Sequence, residues 1–227
     1  KTIMACPPTE QMLAVSDKCR LLKLARNLGI PTPDTLFFSD CADLLANIHQ
    51  VKEFPVVIKP ALSRVMTPTG CLTGGVKYAS SRTELERIYL TTEVLKYPSM
   101  VQETIEGPGL GVFTLYDGDK HLALFSHQRL MEKPPSGGVS VICKSVALDE
   151  GVVESAGRLL SAVDWKGVAM VEFKRDHRDG SAKLMEINGR FWGSLQLAIA
   201  CGVDFPSILL DYLQGAAVDG SKLGAYR

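Results

Sequence analysis

Two short apolar runs late in the chain each carry one acidic residue: Met170-Val-Glu172-Phe and, past a turn, Leu184-Met-Glu186-Ile-Asn188-Gly-Arg190-Phe-Trp192-Gly-Ser194. Both have the composition of β-strands. Alternate residues of a strand point to one face, so Glu186, Asn188 and Arg190 project together. If the runs pair as a hairpin across Arg178-Asp-Gly180, Glu172 joins them. Two carboxylates and an amide oxygen are hard ligands suited to Mg²⁺, and a neighbouring guanidinium complements the phosphates that this ion accompanies. The alternative is a solvated hairpin with its charges in water. Ile187, Phe191 and Trp192 argue against it, because charges set among core-type residues need partners.

The remaining chain reads as a mixture of helices and strands. Ser16 caps a helix that Gly29 ends, Thr35 to Phe38 is a strand, and Ser39 caps a second helix to about His49. Phe54-Pro-Val-Val-Ile-Lys59 is a β-branched strand closed by a lysine. Residues 61–76, with Gly70, Gly74 and Gly75, read as a mobile loop. A short strand at Lys77, a helix from Ser81 to about Leu95 and a strand from Ser99 to Ile105 follow. Strands at 111–116, 121–129 and 139–146 lead to a helix at 149–163, then the acidic hairpin. Helices from Phe191 to Ala200 and from Pro206 to Gly215 close the reading. The layout is α+β in two linked halves.

The formal net charge is zero, from 25 basic and 25 acidic residues without a basic block, so neither nucleic acid nor an anionic membrane is indicated as a partner. No apolar run reaches the roughly 18 residues of a membrane span. The six cysteines include no C-x-x-C pair, which leaves zinc and redox motifs unsupported and fits a reducing cytoplasm. The chain opens at Lys1 in mid-sequence style, as a piece of a longer protein does.

The order of these parts resembles the ATP-grasp superfamily, with its closest likeness to the carbamoyl-phosphate-synthase-like carboxylate–amine ligases. The likeness rests on Asp17-Lys18, Lys59, the Gly-rich loop, Val101-Gln-Glu-Thr-Ile105 and the acidic hairpin, with Met185-Glu-Ile-Asn-Gly-Arg-Phe-Trp-Gly-Ser194 the most specific piece. It covers essentially residues 12–215. It implies an ATP-grasp fold in which two α+β subdomains clamp ATP between them. An N-terminal lobe over about 16–103 would carry a lid at 61–76, and a catalytic lobe would run from 104 to 227. A further domain is expected upstream, and there is room for a homodimer through regions outside the chain.

The resemblance assigns ATP and Mg²⁺ (or Mn²⁺) as cofactors, with Glu172, Glu186 and Asn188 as metal ligands. Lys59, on a rigid strand end, would neutralise α- or β-phosphate oxygens as a compact charge; alone, a strand-end lysine is as readily solvated. Lys18, in the first turn of its helix, opposes the macrodipole, which suits a phosphate role. Gly74 and Gly75 would supply lid amides to the phosphates. The backbone of Gln102, Glu103, Thr104 and Ile105 would meet the adenine edge, with Ile58 and Ile105 sandwiching the ring. The carboxylate that usually grips the ribose has no match, Gly109 standing near its place.

Arg190 would stabilise charge moving to the acceptor. Arg129 is a candidate for the acceptor carboxylate or the transferred phosphoryl group, with Ser136-Gly-Gly138 supplying amides; a charged surface loop is the alternative there. The implied reaction phosphorylates a small-molecule carboxylate to an acylphosphate, which a small-molecule amine, less often a thiol, attacks. Alternatives are a bicarbonate- or carbamate-phosphorylating enzyme and a non-catalytic ATP-binding sensor.

Overall fold

A computed structural model describes residues 4–133 and 139–218. The first half holds α1 (Thr9–Ser16), α2 (Lys18–Asn27), β1 (Thr35–Phe38), α3 (Cys41–Asn47), β2 (Val56–Pro60), β3 (Arg64–Thr67), β4 (Gly70–Thr73), β5 (Lys77–Ala79), α4 (Arg82–Thr91) and β6 (Ser99–Glu103). Four of these strands form an antiparallel sheet in the order β1-β6-β2-β5. Its core packs Phe38, Leu44, Ile58, Leu85, Tyr89 and Val101. The second half holds β7 (Gly109–Asp117), β8 (His121–Lys133), β9 (Val139–Ser145), α5 (Glu150–Ala162), β10 (Lys166–Arg175), β11 (Ala182–Asn188), α6 (Leu195–Ala200) and α7 (Phe205–Leu213). Its five-stranded antiparallel sheet runs β11-β10-β7-β8-β9.

Strand alternation sorts the second sheet into two faces with different cover. Val112, Ala169, Val171 and Phe173 turn to one side, where they pack with Ala156, Leu159 and Leu160 of α5 and with Leu21 and Leu22 of α2. Phe113, Phe125, Val168 and Met170 turn to the other, against Ala198 of α6 and Phe205, Ile208 and Leu209 of α7. Those last two helices cover only one end of their face. Continuing along the same strands at two-residue steps, the uncovered end carries Gly109 and Gly111 on β7, His127 and Arg129 on β8, and Glu172 and Lys174 on β10. The polar residues of the sheet therefore collect where its helical cover stops.

The chain passes from the first sheet to the second through residues 104–108. Gly107 has φ +148°, and a Cβ there would lie 1.8 Å from the Arg175 carbonyl oxygen, so only glycine lets this connection pack against β10. Two further bonds fix it: Arg175 N–H donates to the Pro108 carbonyl (3.1 Å) and His177 N–H to that of Glu106 (2.9 Å).

Several boundaries differ from the sequence reading. Asp17 caps α2 by accepting from the Arg20 amide, and Asp40 caps α3; both carboxylates displace the preceding serines in that role. Residues 61–76 contain the β3–β4 hairpin, which the glycines and prolines masked. Thr9–Ser16 is a helix without a sequence signal strong enough to call it. Residues 191–194 are not helical, and α6 begins at Leu195. The proposed amides of Ser136, Gly137 and Gly138 lie outside the described residues.

Candidate functional site

The β10–β11 hairpin places Glu172 and Glu186 directly opposite one another. The register shifts after this pair, with Met185 as the extra residue, so the ladder breaks its regular spacing at the acidic pair. Asn188, two residues beyond Glu186, donates Nδ2–H to Glu172 Oε1 (3.2 Å) and to Glu186 Oε1 (2.9 Å). Its own Oδ1 accepts from Arg190 Nη2 at 3.3 Å. Arg129 reaches across from β8 to pair with Glu172 and also bonds Glu132 at 2.9 Å. Glu172, Glu186, Asn188, Arg190 and Arg129 are thus brought into one cluster.

The two carboxylates are unequal. Burial and the facing Glu186 charge push the Glu172 carboxyl well above the usual carboxylate range, against the pull of Arg129. Burial works on Glu186 as well, but Lys18, the Asn188 amide, Lys59 and Arg129 outweigh it and hold that carboxyl below its ordinary value. A like-charged pair held opposite on adjacent strands is unfavourable unless a cation answers it.

Both candidate lysines arrive from the first half of the chain. Lys18 Nζ donates to Ser63 Oγ at 3.0 Å and lies 3.9 Å from Glu186 Oε2. Its backbone amide is tied to the Ala61 carbonyl at 2.9 Å, which anchors the helix start beside the end of β2. Lys59 is half-buried on β2, and burial lowers its pKa to about 8, with Glu186 opposing that shift. Between these lysines and the hairpin runs a cleft of about 440 Å³.

At the hinge Gln102, Glu103, Thr104 and Ile105 all line the cleft. β6 lies between β1 and β2, so Gln102 sits inside the ladder, and its buried side chain donates to Thr35 Oγ1 at 3.0 Å. The Glu103 amide donates to the Asp34 carbonyl at 2.9 Å, and its carboxylate pairs with Arg178 (2.6 Å) and Lys183 (3.0 Å). Only Thr104 and Ile105 lie past the strand end. Ile58 does not face the cleft: it is buried in the core of the first sheet, and Val57, which shares a face with Lys59, lines the cleft instead. Ile105 is buried against the cleft, and its carbonyl accepts from Lys174 Nζ at 3.1 Å.

The lid glycines are not brought to the cleft. The Gly74 amide is spent on the Ser63 carbonyl at 3.0 Å, and a Cβ there would lie 2.6 Å from Val94. Gly75 has open space around it, and the nearby cleft wall is formed by Val76 and Tyr78.

Sequence reasoning missed Lys174 and His127. Both were accessible to the two-residue rule, since Lys174 follows Glu172 and His127 precedes Arg129 by two positions on their strands. His127 is buried, makes a 3.1 Å hydrogen bond between Nδ1 and Ser194 Oγ, and packs edge-on against Phe113 with ring centres 4.6 Å apart. Burial, aided by the Arg129 charge, lowers its pKa to about 4.

The donor chemistry fits a hard divalent cation. Glu172 and Glu186 offer carboxylate oxygens, and the Asn188 amide beside them turns Nδ2 to both carboxylates and Oδ1 to Arg190. Such a set, ringed by Lys18, Lys59 and Arg129, matches Mg²⁺ carried with phosphates rather than a zinc or redox site.

The family described as "ATP-grasp in the biosynthetic pathway with Ter operon" matches residues 96–224, more than half of the chain. This protein is a member of that ATP-grasp family. Two curated relatives are similar at the sequence level. The D-alanine--D-alanine ligase of Carboxydothermus hydrogenoformans is 26% identical over 76% of this chain and 58% of its own length. The D-aspartate ligase of Enterococcus faecium is 26% identical over 82% of this chain and 47% of its own. The chain thus spans about half the length of these relatives. Its fold is that of biotin carboxylase from Campylobacter jejuni (TM-score 0.76, 18% identity, 96% of this chain and 50% of that one). It is equally that of the ATP complex of D-alanine--D-alanine ligase from Bacillus anthracis (TM-score 0.68, 22% identity, 93% of this chain and 68% of that one). The ATP-grasp fold read from the motifs is therefore present. None of the helices in the described residues is long and apolar enough to cross a membrane.

Proposed function

We propose that this ATP-grasp chain is the nucleotide-binding and phosphoryl-transfer part of an ATP- and Mg²⁺-dependent ligase joining a carboxylate to an amine. The observation that carries this reading is the Glu172–Glu186 pair bridged by Asn188, set across a cleft from Lys18 and Lys59. The similarity to ligases acting on D-alanine and D-aspartate supports small amino-acid-like substrates. Residues 16–103 and those from 104 onward act as two lobes closing on the nucleotide.

In this reading the hinge at Thr104 and Ile105 receives the adenine, and the phosphates lie towards Lys59 and Lys18. Bound to Glu172, Glu186 and Asn188, Mg²⁺ would draw charge off the phosphate oxygens. A carboxylate oxygen of the substrate attacks the γ-phosphorus, the bond to the bridging β–γ oxygen breaks, and ADP leaves. The amine then attacks the acyl carbon, phosphate departs, and the amine proton passes to solvent. Arg190 and Arg129 answer the charge that gathers on the acceptor side. Lys59, fixed on its strand, holds the phosphates without a change of geometry during reaction. Among these steps no side chain serves as a nucleophile.

The test is ADP release by the full-length protein with Mg-ATP and a pool of amino acids that includes D-alanine and D-aspartate, with bicarbonate assayed separately. Release dependent on an amino-acid pair, with Glu186→Gln inactive, supports the ligase. Tight Mg-ATP binding without turnover on any acceptor would move the reading to a sensor.

A further inference from the structure

The β10–β11 hairpin carries two charged rungs on one side. Glu172 and Glu186 form the first. Past the pair Phe173 and Leu184, which turns to the core, Lys174 and Lys183 stand directly opposite each other as the second. Like charges so placed are unfavourable unless answered, and the segment joining the two sheets answers both. Lys174 Nζ donates to the Ile105 carbonyl at 3.1 Å, and Lys183 Nζ donates to Glu103 Oε1 at 3.0 Å. Lys183 Nζ also lies 2.9 Å from Asp176 Oδ2. Arg178 Nη2 is 2.6 Å from both Asp176 Oδ2 and Glu103 Oε2, which closes a circuit of four alternating charges. Asp176 is fully buried, and the Lys183 and Glu103 side chains are 13% and 19% exposed. Isolated ion pairs in water contribute little, whereas a network drawn out of water with every charge answered holds one arrangement. Glu103 Oε1 accepts from the Asp34 amide as well (3.0 Å), so the circuit reaches both halves of the chain.

We propose that the basic rung and its charge circuit act as a spacer, holding the Thr104–Ile105 seat at a fixed distance from the acidic rung, so that a nucleotide seated at the hinge delivers its phosphates to Glu172 and Glu186. This rests on the nucleotide-binding part of the proposed function and adds which residues set its geometry. Asp176, Arg178 and Lys183 stay outside the cleft wall and touch no ligand there. They are positioning residues that act through Glu103. The two rungs are two residues apart on β10, about 7 Å by the rise of a strand, so the spacing is built into the ladder. Clasping the hinge to one rung therefore fixes where it lies relative to the other.

The test separates the two ends of the nucleotide. Calorimetry on the full-length protein reads Mg-ADP binding directly and adenosine binding by displacement. Lys183→Met should weaken Mg-ADP about 10-fold, the loss of one bond to a charged group, and leave adenosine within about twofold of wild type. The seat survives in that variant, while its spacing from the acidic rung does not. Glu103→Gln should do the same, and it carries the comparison alone if Lys183→Met does not fold. The double variant should lose no more than the weaker-binding single, because both substitutions open one circuit. Equal losses for adenosine and Mg-ADP would make the circuit a general support of the hinge and overturn the proposal. Unchanged Mg-ADP affinity in the single variants, or additive losses in the double, would overturn it too. If the wild-type protein binds neither adenosine nor Mg-ADP, the nucleotide reading itself fails and the spacer falls with it; wild-type binding that the variants leave intact sinks the spacer alone.

Discussion

Glu172 and Glu186 face each other directly across the β10–β11 ladder, and both are hydrogen-bonded by the single amide of Asn188. Cross-strand like charges are unfavourable in a sheet, and under the proposed function a divalent cation at this pair would add to the charge that Arg129 and Lys18 already supply. Mg²⁺ with ADP should therefore raise the melting temperature of the wild-type protein by a few degrees, as binding to the native state alone does. Glu186→Gln should melt near the wild-type temperature without ligand, lose the Mg²⁺-dependent part of the shift and release no ADP. Differential scanning fluorimetry with and without Mg²⁺ checks this. A full shift in Glu186→Gln would mean that the metal sits elsewhere.

If Lys59 holds the phosphates as proposed, nucleotide affinity should depend on pH. Its pKa in the free protein, lowered to about 8 by burial, means that the charged form that answers phosphate is lost as pH rises through that value. Bound phosphates favour the charged form, so binding near pH 8 should take up about half a proton, and affinity should fall above it. Calorimetry of Mg-ADP binding in buffers of different ionisation enthalpy reads the proton directly. In Lys59→Met the uptake should vanish, with affinity about 10- to 100-fold weaker, the loss of one charge-assisted contact.

The hairpin was legible because its period-two pattern, its turn and its hard-oxygen residues all sit within one local stretch from Met170 to Arg190. Lys59 was legible as a strand end for the same reason. What depends on distant packing was not. Ile58 and Val57 are equally apolar, and only the sheet decides that Val57 shares the cleft with Lys59 while Ile58 fills the core. Gly74 and Gly75 look like lid amides in sequence, but the β3–β4 hairpin turns the Gly74 amide to Ser63. His127 was overlooked because its partner Ser194 lies 67 residues away and is joined to it only by the folded sheet.

His127 also makes a stability prediction. Its pKa is about 4 in the folded protein, below the value near 6.5 of an unfolded chain. A depressed native pKa contributes stability that is full above about 6.5 and is lost as pH falls towards 4, because only the unfolded state takes up the proton over that range. The loss is on the order of 3 kcal/mol for this group. Urea unfolding at pH 7 and pH 4.5 should show a steeper fall for wild type than for His127→Asn. Equal slopes would mean that the imidazole is solvated in the native state.

Gly189, between the proposed ligand Asn188 and Arg190, tests how the site is supported. A Cβ there would stand 2.3 Å from Trp165 Cη2, 2.8 Å from Cζ2 and 3.0 Å from Met12 Sδ. Trp165 is fully buried in the core beside α5, so its ring cannot swing aside into solvent. Gly189→Ala should therefore cost roughly 1–3 kcal/mol by overpacking, read as a lower urea midpoint with an unchanged slope. The strain falls on the residue next to Asn188, so Mg²⁺ affinity should drop along with stability. Gly180→Ala, in the hairpin turn with nothing within 4 Å of the new Cβ but φ +72°, should destabilise through backbone strain while leaving Mg²⁺ affinity intact. If both variants lose Mg²⁺ affinity equally, the loss comes from general weakening of the hairpin, and the close fit of Gly189 against Trp165 is not what holds Asn188 in place.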